Sequence, residues 1–462
     1  MTIQSTALNI KPRILYQVAK AAWEGKLFER REDICRLVHE EFADRTTRRQ
    51  VANQIRIAMG LDPHDSDTVL GEHDAEALMG MASEPFVVAN PDACRHCAPD
   101  DRNCQRTCPV GAIDRDEQGR VRIDHEVCLG EGHCVEACSF GALAEKSNFV
   151  PLIELLRQKT HPVYASVAPA FAGQFGPDVT PGKLRTALLK LGFAEMVETA
   201  LYADLITMKE CFEYDAHVQT ERDFLITSCC CPVWIKLIEN RFPELLSHIS
   251  PSVSPMVASA RVLKAFEPDA RVVFIGPCVA KKSEALLPGL KGAVDFVLTF
   301  QELKAIFEAT EVGPADQPDE ENAQASWGGR VYGRTGGVSA AVGATLTKLI
   351  PRRAEKFAAR QVDGIPDCQK LLAELKGGDF AANFVEGMAC KGGCVGGPGR
   401  ILAPEEGTRQ VNAYSDAAAS HVPAENPQVY AILARLSHEA GTPPLTGEGP
   451  IATLLARRLE ED

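Results

Sequence analysis

Apolar residues follow two different periods along this chain. In residues 1–85 they recur at helical spacing, as at Ile14, Leu15 and Val18, which predicts a small helical N-terminal region. From about residue 150 short apolar runs alternate with helical segments, and residues 163–168 predict a strand while residues 181–191 predict a helix. This alternation predicts an α/β domain with buried sheets over residues 149–462.

The last part of the chain has a weaker pattern. After residue 403 it predicts one helix at Pro427–Leu436 and a short helix near Ala452–Leu459. No stretch approaches the run of about 18 apolar residues that a membrane-spanning helix needs, so we expect no membrane partner. The N-terminal residues lack the apolar segment of a signal peptide, which predicts a cytoplasmic protein. The formal net charge of −14 argues against nucleic acid as the main partner.

Sixteen cysteines in 462 residues add candidate chemistry to this picture. Most of them cluster at 94–138, 229–231, 278 and 390–394. Clustered cysteines in a large chain without an export signal indicate metal binding rather than disulfides. The isolated cysteines are expected to be packing residues; they are Cys35, Cys211 and Cys368.

Residues 86–148 contain a duplicated cysteine motif. The first copy is Cys94-x2-Cys97-x6-Cys104-x3-Cys108, and the second is Cys128-x5-Cys134-x3-Cys138-Ser139. A Gly-Ala phrase follows each copy, so the segment is an internal repeat. It resembles the bacterial two-cluster ferredoxin, in which the last cysteine of each motif ligates the other cluster. Zinc is the alternative for such spacing.

The repeat departs from the ferredoxin pattern twice. Four extra residues between Cys97 and Cys104 are expected to form a loop, and Glu131 occupies the slot of the second ligand in the second motif. The resemblance implies one [4Fe–4S] cluster held by Cys94, Cys97, Cys104 and Cys138. The other cluster would be held by Cys108, Cys128, Cys134 and an open fourth position, for which Glu131 and His133 are the local candidates. A three-iron cluster or a partly open site are the alternatives.

Three further cysteine sites occur in the α/β domain. Cys229, Cys230 and Cys231 follow an apolar run and precede a predicted helix that begins at Pro232. Thiolates at such a position bind soft metals or react with a lowered pKa. The other sites are Gly-Pro-Cys278-Val-Ala-Lys281-Lys-Ser-Glu284 and Glu-Gly-Met388-Ala-Cys390-Lys-Gly-Gly-Cys394. One cysteine from the first site, one from the second and two from the third make four thiolates, which suit a cubane.

These three motifs resemble the signatures of [FeFe]-hydrogenases, TSCCPxW, xPCxxKxxE and ExMACxxGCxxGG, in the family's order. The third consecutive cysteine makes the first signature TSCCCP. The resemblance covers about residues 86–402. It implies a two-lobed α/β catalytic domain (149–462) preceded by a ferredoxin-like domain (86–148) and the helical N-terminal region (1–85).

Site roles follow by motif position. The resemblance implies that Cys394 bridges the cubane to a diiron subsite, that Cys230 is the proton-carrying thiol, and that Lys281 hydrogen-bonds an iron-bound cyanide. It places the remaining candidates around the same pocket, with Cys229 as packing residue, loop modifier or part of an oxidation response. The cubane ligands would be Cys231, Cys278, Cys390 and Cys394, and the pocket residues Ala168, Pro169, Glu284 and Met388. Ala170 replaces the usual serine, and Gly276 stands where many members have methionine, leaving extra room or a repacked wall.

A proton route can also be predicted. Glu210 and Glu213 lie three residues apart on a predicted helix that resembles the family's ADLTIMEE helix, so they share a face. Ser250 lies at the family's offset for a relay hydroxyl. The predicted chain runs from Cys230 through Glu210 and Ser250 to Glu213. Taken singly, these residues are as readily a solvated glutamate or a helix-capping serine.

The resemblance implies the reaction 2H⁺ + 2e⁻ ⇌ H₂. It implies an H-cluster, which is a [4Fe–4S] cluster linked to a diiron subsite with CO, CN and a bridging dithiolate, and two ferredoxin-type [4Fe–4S] clusters. The implied partners are a low-potential ferredoxin or similar electron carrier and hydrogenase maturation proteins. The alternatives are a hydrogen sensor and a non-catalytic, Narf-like iron–sulfur assembly protein.

Overall fold

A computed structural model describes residues 10–71, 74–78, 80, 82–98, 102–138, 140–227, 229–378, 380–437 and 445–457. Some predicted features lie outside these residues. They are residues 1–9 of the N-terminal region, residues 99–101 of the inserted loop, Ser139 and Ser228 of the cysteine motifs, and residues 458–459 of the last predicted helix.

The N-terminal region is helical, as predicted. A capping box in which Thr47 and Gln50 hydrogen-bond each other's backbone begins the third helix. Apolar residues of this region, such as Val18 and Ile55, share one core with Phe300 and Leu303 of the α/β domain. The helices are α1 (Lys11–Trp23), α2 (Leu27–Glu41), α3 (Arg48–Ala58) and α4 (Asp74–Leu78).

The cysteine repeat forms a small layer of two antiparallel strand pairs. β1 pairs with β4, and β2 pairs with β3. In chain order the elements are β1 (Val87–Ala89), α5 (Asn103–Thr107), β2 (Ile113–Arg115), β3 (Val121–Ile123), α6 (His133–Glu136) and β4 (Leu143–Glu145).

Two parallel sheets form the two lobes of the α/β domain. The first has the strand order β6-β5-β8-β9, and the second has the order β10-β11-β7. The first half contains α7 (Phe149–Gln158), β5 (Val163–Val167), α8 (Pro181–Leu191), β6 (Glu195–Glu198), α9 (Thr199–His217), β7 (Leu225–Ile226), α10 (Pro232–Arg241), α11 (Pro255–Phe266), β8 (Arg271–Ile275), α12 (Ala280–Glu284) and β9 (Phe296–Leu298).

The second half completes both lobes and adds the C-terminal helices. It contains α13 (Phe300–Thr310), α14 (Trp327–Arg330), α15 (Gly337–Leu349), α16 (Pro351–Ala354), β10 (Ala359–Asp363), α17 (Ile365–Gly377), β11 (Phe384–Met388), α18 (Pro404–Asp416), α19 (Pro427–Ser437) and α20 (Pro450–Leu454). The prediction of one helix followed by a short one after residue 403 was therefore incomplete, because it lacked α18. Among the described residues no helix is long and apolar enough to cross a membrane.

Polar contacts join the three parts of the chain. The Lys282 ammonium donates to the Lys146 carbonyl and to Glu302 Oε1, both at 2.7 Å. The Lys146 ammonium donates in turn to Asp62 Oδ1 at 2.9 Å. Since Lys282 lies on α12, Lys146 just after β4 and Asp62 after α3, one polar chain links the α/β domain, the cysteine repeat and the N-terminal region.

Candidate functional site

The candidate residues follow the carboxyl ends of parallel strands. β5 leads into Ala168 and Pro169, β7 into the three cysteines, β8 into Cys278 and β11 into Cys390. Ala168, from the first sheet, and Cys230, from the second, line the same cavity. Ligands of open α/β sheets bind at this edge. The topology of both sheets therefore brings the separate motifs to one place.

Four of the thiols lie close enough to affect one another. Burial, and then the charge of Cys231, raise the pKa of Cys278 to about 11. The pKa of Cys394 is raised to about 12 by burial and then by the charges of Cys231 and Cys278. The pKa of Cys390 is raised by burial and then by the charges of the other three thiols. Backbone N–H groups of Ala389 and Trp234 lower the pKa of Cys231 against the larger effect of its burial. Soft thiols in this arrangement fit the ligand set of a cubane.

The spacing of these thiols differs from that of a mononuclear site. In the described part of the chain, no three His, Cys, Asp or Glu side chains are grouped closely enough to hold one metal ion. A single tetrahedral ion binds all of its sulfur ligands at about 2.3 Å, whereas a [4Fe–4S] cluster binds four cysteines through separate iron atoms.

A nearly apolar cavity of about 50 Å³ adjoins the thiols. Cys230, Lys281 and Cys394 are among the residues that line it, together with Ala168 and Pro169. Met388 is absent from the lining and packs in a buried cluster that contains Cys230. A side chain at Gly276 would lie 2.8 Å from the Phe274 ring, so the space left by this glycine is filled by Phe274 and the wall is repacked.

Lys281 and Glu284 form a buried ion pair beside this cavity. The Lys281 ammonium donates to Glu284 Oε2 at 2.6 Å, and the lysine side chain is 6% exposed. Burial disfavours the ammonium, but the charge and hydrogen bond of Glu284 outweigh it and raise the pKa of Lys281. Glu284 therefore keeps a cation at the wall of the cavity.

Glu210 is a fully buried carboxyl on α9. Thr227 Oγ1 donates to its Oε1 at 2.6 Å, and the Cys229 thiol lies 3.9 Å from the same oxygen. Oε2 has no hydrogen-bond partner among the described residues. Burial, and then the charge of Glu213, raise the pKa of Glu210 to about 8, although Thr227, Lys209 and Ser250 oppose this rise. The carboxyl is thus mainly neutral at pH 7 and able to exchange a proton.

Glu213, one turn further along α9, has a different environment. Ser250 Oγ donates to its Oε2 at 2.6 Å, and Ser252 Oγ lies 3.1 Å from Oε1. The Lys209 ammonium also donates to Oε1 and lies 3.0 Å from Ser252 Oγ. The structure therefore brings Glu210, Ser250 and Glu213 together. Of the three adjacent thiols, Cys229 is the one that approaches Glu210, although its closer hydrogen-bond acceptor is the Val253 carbonyl at 3.3 Å.

Sequence reasoning missed three polar residues of this network: Lys209, Thr227 and Ser252. Lys209 had a usable signal, because lysine and glutamate four residues apart on a helix pair with each other. Ser252 had none, since its contact depends on the path of the segment after residue 250.

The cysteines of the repeat lie in two separate groups. In the first, burial and then Cys138 raise the pKa of Cys104, while Arg115 Nη2 lies 3.9 Å from Cys97 Sγ. In the second, one cavity of about 20 Å³ is lined by Cys108, Cys128, Glu131 and Cys134. The isolated cysteines are buried and contact backbone carbonyls, namely Cys35 with Arg48, Cys211 with Val342 and Cys368 with Met388.

Two family models match this chain. The one described as iron only hydrogenase large subunit, C-terminal domain, matches residues 161–398, just over half of the chain. A 4Fe-4S dicluster domain matches residues 93–142, which favours iron–sulfur clusters over zinc in the cysteine repeat. Both matches lie within the predicted segments 149–462 and 86–148.

Individual relatives are similar at low identity. The NADP-reducing hydrogenase subunit HndD of Solidesulfovibrio fructosivorans is 28% identical over 376 residues. The match covers 68% of this chain and 64% of that relative, so this chain spans less than two thirds of the relative's length. The periplasmic [Fe] hydrogenase large subunit of Nitratidesulfovibrio vulgaris is 29% identical over 352 residues, which cover 65% of this chain and 84% of that protein.

Two more similarities concern the fold and an alternative function. A variant of [FeFe]-hydrogenase HydA1 from Chlamydomonas reinhardtii matches with a TM-score of 0.53 at 24% identity, covering 66% of this chain and 97% of that chain. This match confirms the predicted α/β fold class. The nuclear prelamin A recognition factor of Homo sapiens is 24% identical over 388 residues, which cover 68% of this chain and 85% of that protein.

Proposed function

The chain belongs to the family of iron-only hydrogenase large subunits, and on that basis we propose that it is an [FeFe]-hydrogenase with a TSCCCP first signature that interconverts protons and H₂. One observation supports this most directly: four mutually interacting thiols adjoin an apolar cavity that also holds Cys230 and the Lys281 ammonium. An assembly scaffold needs iron–sulfur ligands, but it has no need for a buried acid–base group and a fixed cation beside them.

In this proposal Cys231, Cys278, Cys390 and Cys394 would hold the active-site cubane, and Cys394 would also bind the diiron subsite. The H-cluster supplies the redox chemistry of hydrogen when it is bound. The protein residues provide a water-poor environment through Ala168, Pro169 and Phe274, and fixed charge through Lys281. In such an environment one preoriented cation stabilises an anionic ligand more strongly than it would in water.

We further propose that protons pass between the cavity and solvent through Cys230, Glu210, Ser250 and Glu213. Cys230 lines the cavity and holds a proton on its buried thiol. Glu210 exchanges protons near neutral pH. The Ser250 hydroxyl lies near Glu210 and donates a hydrogen bond to Glu213. We assign to Cys229 a packing role beside Glu210, because its thiol donates to the Val253 carbonyl at 3.3 Å while Thr227 holds the Glu210 carboxyl.

Electrons would reach the active-site cubane through the clusters of residues 86–148. A low-potential ferredoxin or similar carrier is the proposed external partner, and maturation proteins would insert the diiron subsite. A second candidate function is that of a Narf-like assembly protein, which the similarity to the nuclear prelamin A recognition factor favours. A hydrogen sensor with the same site is a third.

The test is to produce the full chain together with hydrogenase maturation proteins and record its infrared spectrum. We expect CO and CN⁻ bands and H₂ turnover with a reduced dye. A chain without these bands, prepared beside a known hydrogenase that matures normally, would contradict the proposal and favour the assembly protein. Bands with only slow turnover would favour the sensor.

A further inference from the structure

The loop around Glu131 presents this side chain to the cysteine repeat. Gly130 and Gly132 flank it with φ values of 71° and 88°, in the left-handed region that favours glycine. A side chain at Gly132 would lie 3.1 Å from Pro398 and 3.2 Å from Val279. The loop therefore packs closely against the α/β domain, and Glu131 projects from a turn whose backbone path is fixed on both sides.

Glu131 lines the cavity that also contains Cys108, Cys128 and Cys134. The other residues that line this cavity are glycine or apolar. Backbone N–H groups are directed at two of the sulfur atoms, from Ala112 to Cys108 at 3.3 Å and from Gly130 to Cys128 at 3.4 Å. Thiols that accept such N–H bonds are prepared to carry negative charge, as cluster ligands do.

The half-buried Glu131 carboxyl has no hydrogen bond or ion pair to any described residue, and the opposing charge of His133 affects it less than its burial does. A carboxylate that is partly removed from water without a partner is unfavourable. The three thiols in the same cavity cannot compensate for this, because as ligands they are themselves negative. A cation in the cavity would pair with all four side chains.

His133, the other local candidate, is directed elsewhere. It does not line the cavity, and its Nδ1 lies 3.4 Å from Glu136 Oε2. Glu136 also accepts hydrogen bonds from Arg400 at 3.0 and 2.5 Å. The imidazole therefore belongs to a surface network that joins the repeat to the α/β domain.

We propose that Glu131 is the fourth protein ligand of the second ferredoxin-type cluster, which is therefore bound by three cysteines and one carboxylate. This inference depends on the 4Fe-4S dicluster match and not on hydrogen chemistry. A harder oxygen ligand makes one iron atom chemically distinct and shifts the potential of the cluster.

The position of Glu131 relates this ligand to the active-site cysteines. A side chain at Gly132, beside Glu131, would lie 3.2 Å from Val279, which is the neighbour of Cys278. Leu129, on the same loop, belongs to the apolar cluster against which Cys231 and Cys278 pack. The cluster proposed at Glu131 would therefore be the one next to the proposed active-site cubane.

The test uses the full chain produced without maturation proteins, with its cubanes assembled anaerobically. Iron and sulfide content, EPR and Mössbauer spectra would be compared for wild type, Glu131→Cys, Glu131→Ala and the matched control His133→Ala. We expect Glu131→Cys to keep the wild-type iron content while the spectrum and midpoint potential of one cluster change. Glu131→Ala should lose about one iron per chain and acquire a three-iron signal when oxidised. His133→Ala should match the wild type.

Other results would overturn the inference. These are a wild-type iron content and spectrum in Glu131→Ala, an unchanged spectrum in Glu131→Cys, or a lost iron in His133→Ala. Because none of these measurements involves H₂, a protein without hydrogenase activity would leave this inference intact, and the reverse also holds.

Discussion

Glu210 and Glu213 lie on one face of α9, yet we expect their replacement by glutamine to have opposite consequences for folding. With a pKa of about 8, Glu210 is protonated by roughly ten to one at pH 7. Glutamine resembles this neutral form and can still accept the hydrogen bond from Thr227. Folding of the wild type above pH 4.5 requires Glu210 to bind a proton, which Glu210→Gln avoids, so the variant should be roughly 2 kcal/mol more stable than the wild type at pH 7. Glu213→Gln removes the anion that faces the buried Lys209 ammonium, which should cost about 3–5 kcal/mol.

The dependence on pH provides a second measurement. The pKa of Glu210 is raised in the folded protein from 4.5 to about 8. The contribution of the neutral Glu210 carboxyl to the free energy of unfolding is fully present below pH 4.5 and is lost as the pH rises to about 8. The slope is about 1.4 kcal/mol per pH unit for one group. Glu210→Gln removes this pH dependence, so the stability of the variant should exceed that of the wild type above about pH 5 to 6, and the difference should be largest at about pH 8 and above.

Amide hydrogen exchange along α9, recorded at several pH values, would measure both effects without requiring reversible unfolding. In matured protein, Glu210→Gln should also lower H₂ turnover at least about 100-fold, the usual contribution of a proton-transfer group. Equal losses of protection in the two variants at pH 7, or a wild-type pH slope in Glu210→Gln, would refute the assignment of a neutral, buried Glu210.

Two further predictions concern the cavity. Cys230→Ala should retain its metal content and CN⁻ bands, but its H₂ turnover should fall by orders of magnitude. In Cys229→Ala the turnover should fall only several-fold, because Thr227 still holds Glu210. Equal losses of turnover in the two variants would contradict the separate roles of the two cysteines. Lys281→Met leaves Glu284 as a buried anion without a cation, so we expect the variant to be less stable. The CN⁻ bands of the fraction that matures should be shifted. Unshifted bands would exclude a contact between Lys281 and a cyanide.

The sequence predicted the class of fold and the metal-binding motifs because both depend on local patterns. Strand–helix alternation indicated the parallel sheets, and the positions of cysteines after apolar runs indicated one edge of those sheets. α18 was missed because its buried residues are Gly407, Val411 and Ser415, which form no apolar stripe. The periodicity of hydrophobic residues carries no signal for such a helix.

Other features depend on three-dimensional contacts that no spacing encodes. The identity of the thiol that approaches Glu210 follows from the turn after β7, which exposes Cys229 and Cys230 to different surroundings. The effect of Gly276 depends on the rotamer of Phe274, two residues earlier on the same strand end. Likewise, the choice between Glu131 and His133 required the path of the glycine-flanked loop.

The polar chain from Asp62 through Lys146 to Lys282 and Glu302 makes the three parts of this protein mechanically dependent on each other. Lys282 and Lys281 are neighbours on a five-residue helix, α12, and one anchors that helix to the cysteine repeat while the other faces the cavity. Separation of the α/β domain from the preceding residues would leave Lys282 without its carbonyl partner and α12 without that anchor. Excision of the cysteine repeat would thus disturb the cavity itself, so we expect the shortest autonomous unit of this chain to extend upstream of its α/β domain.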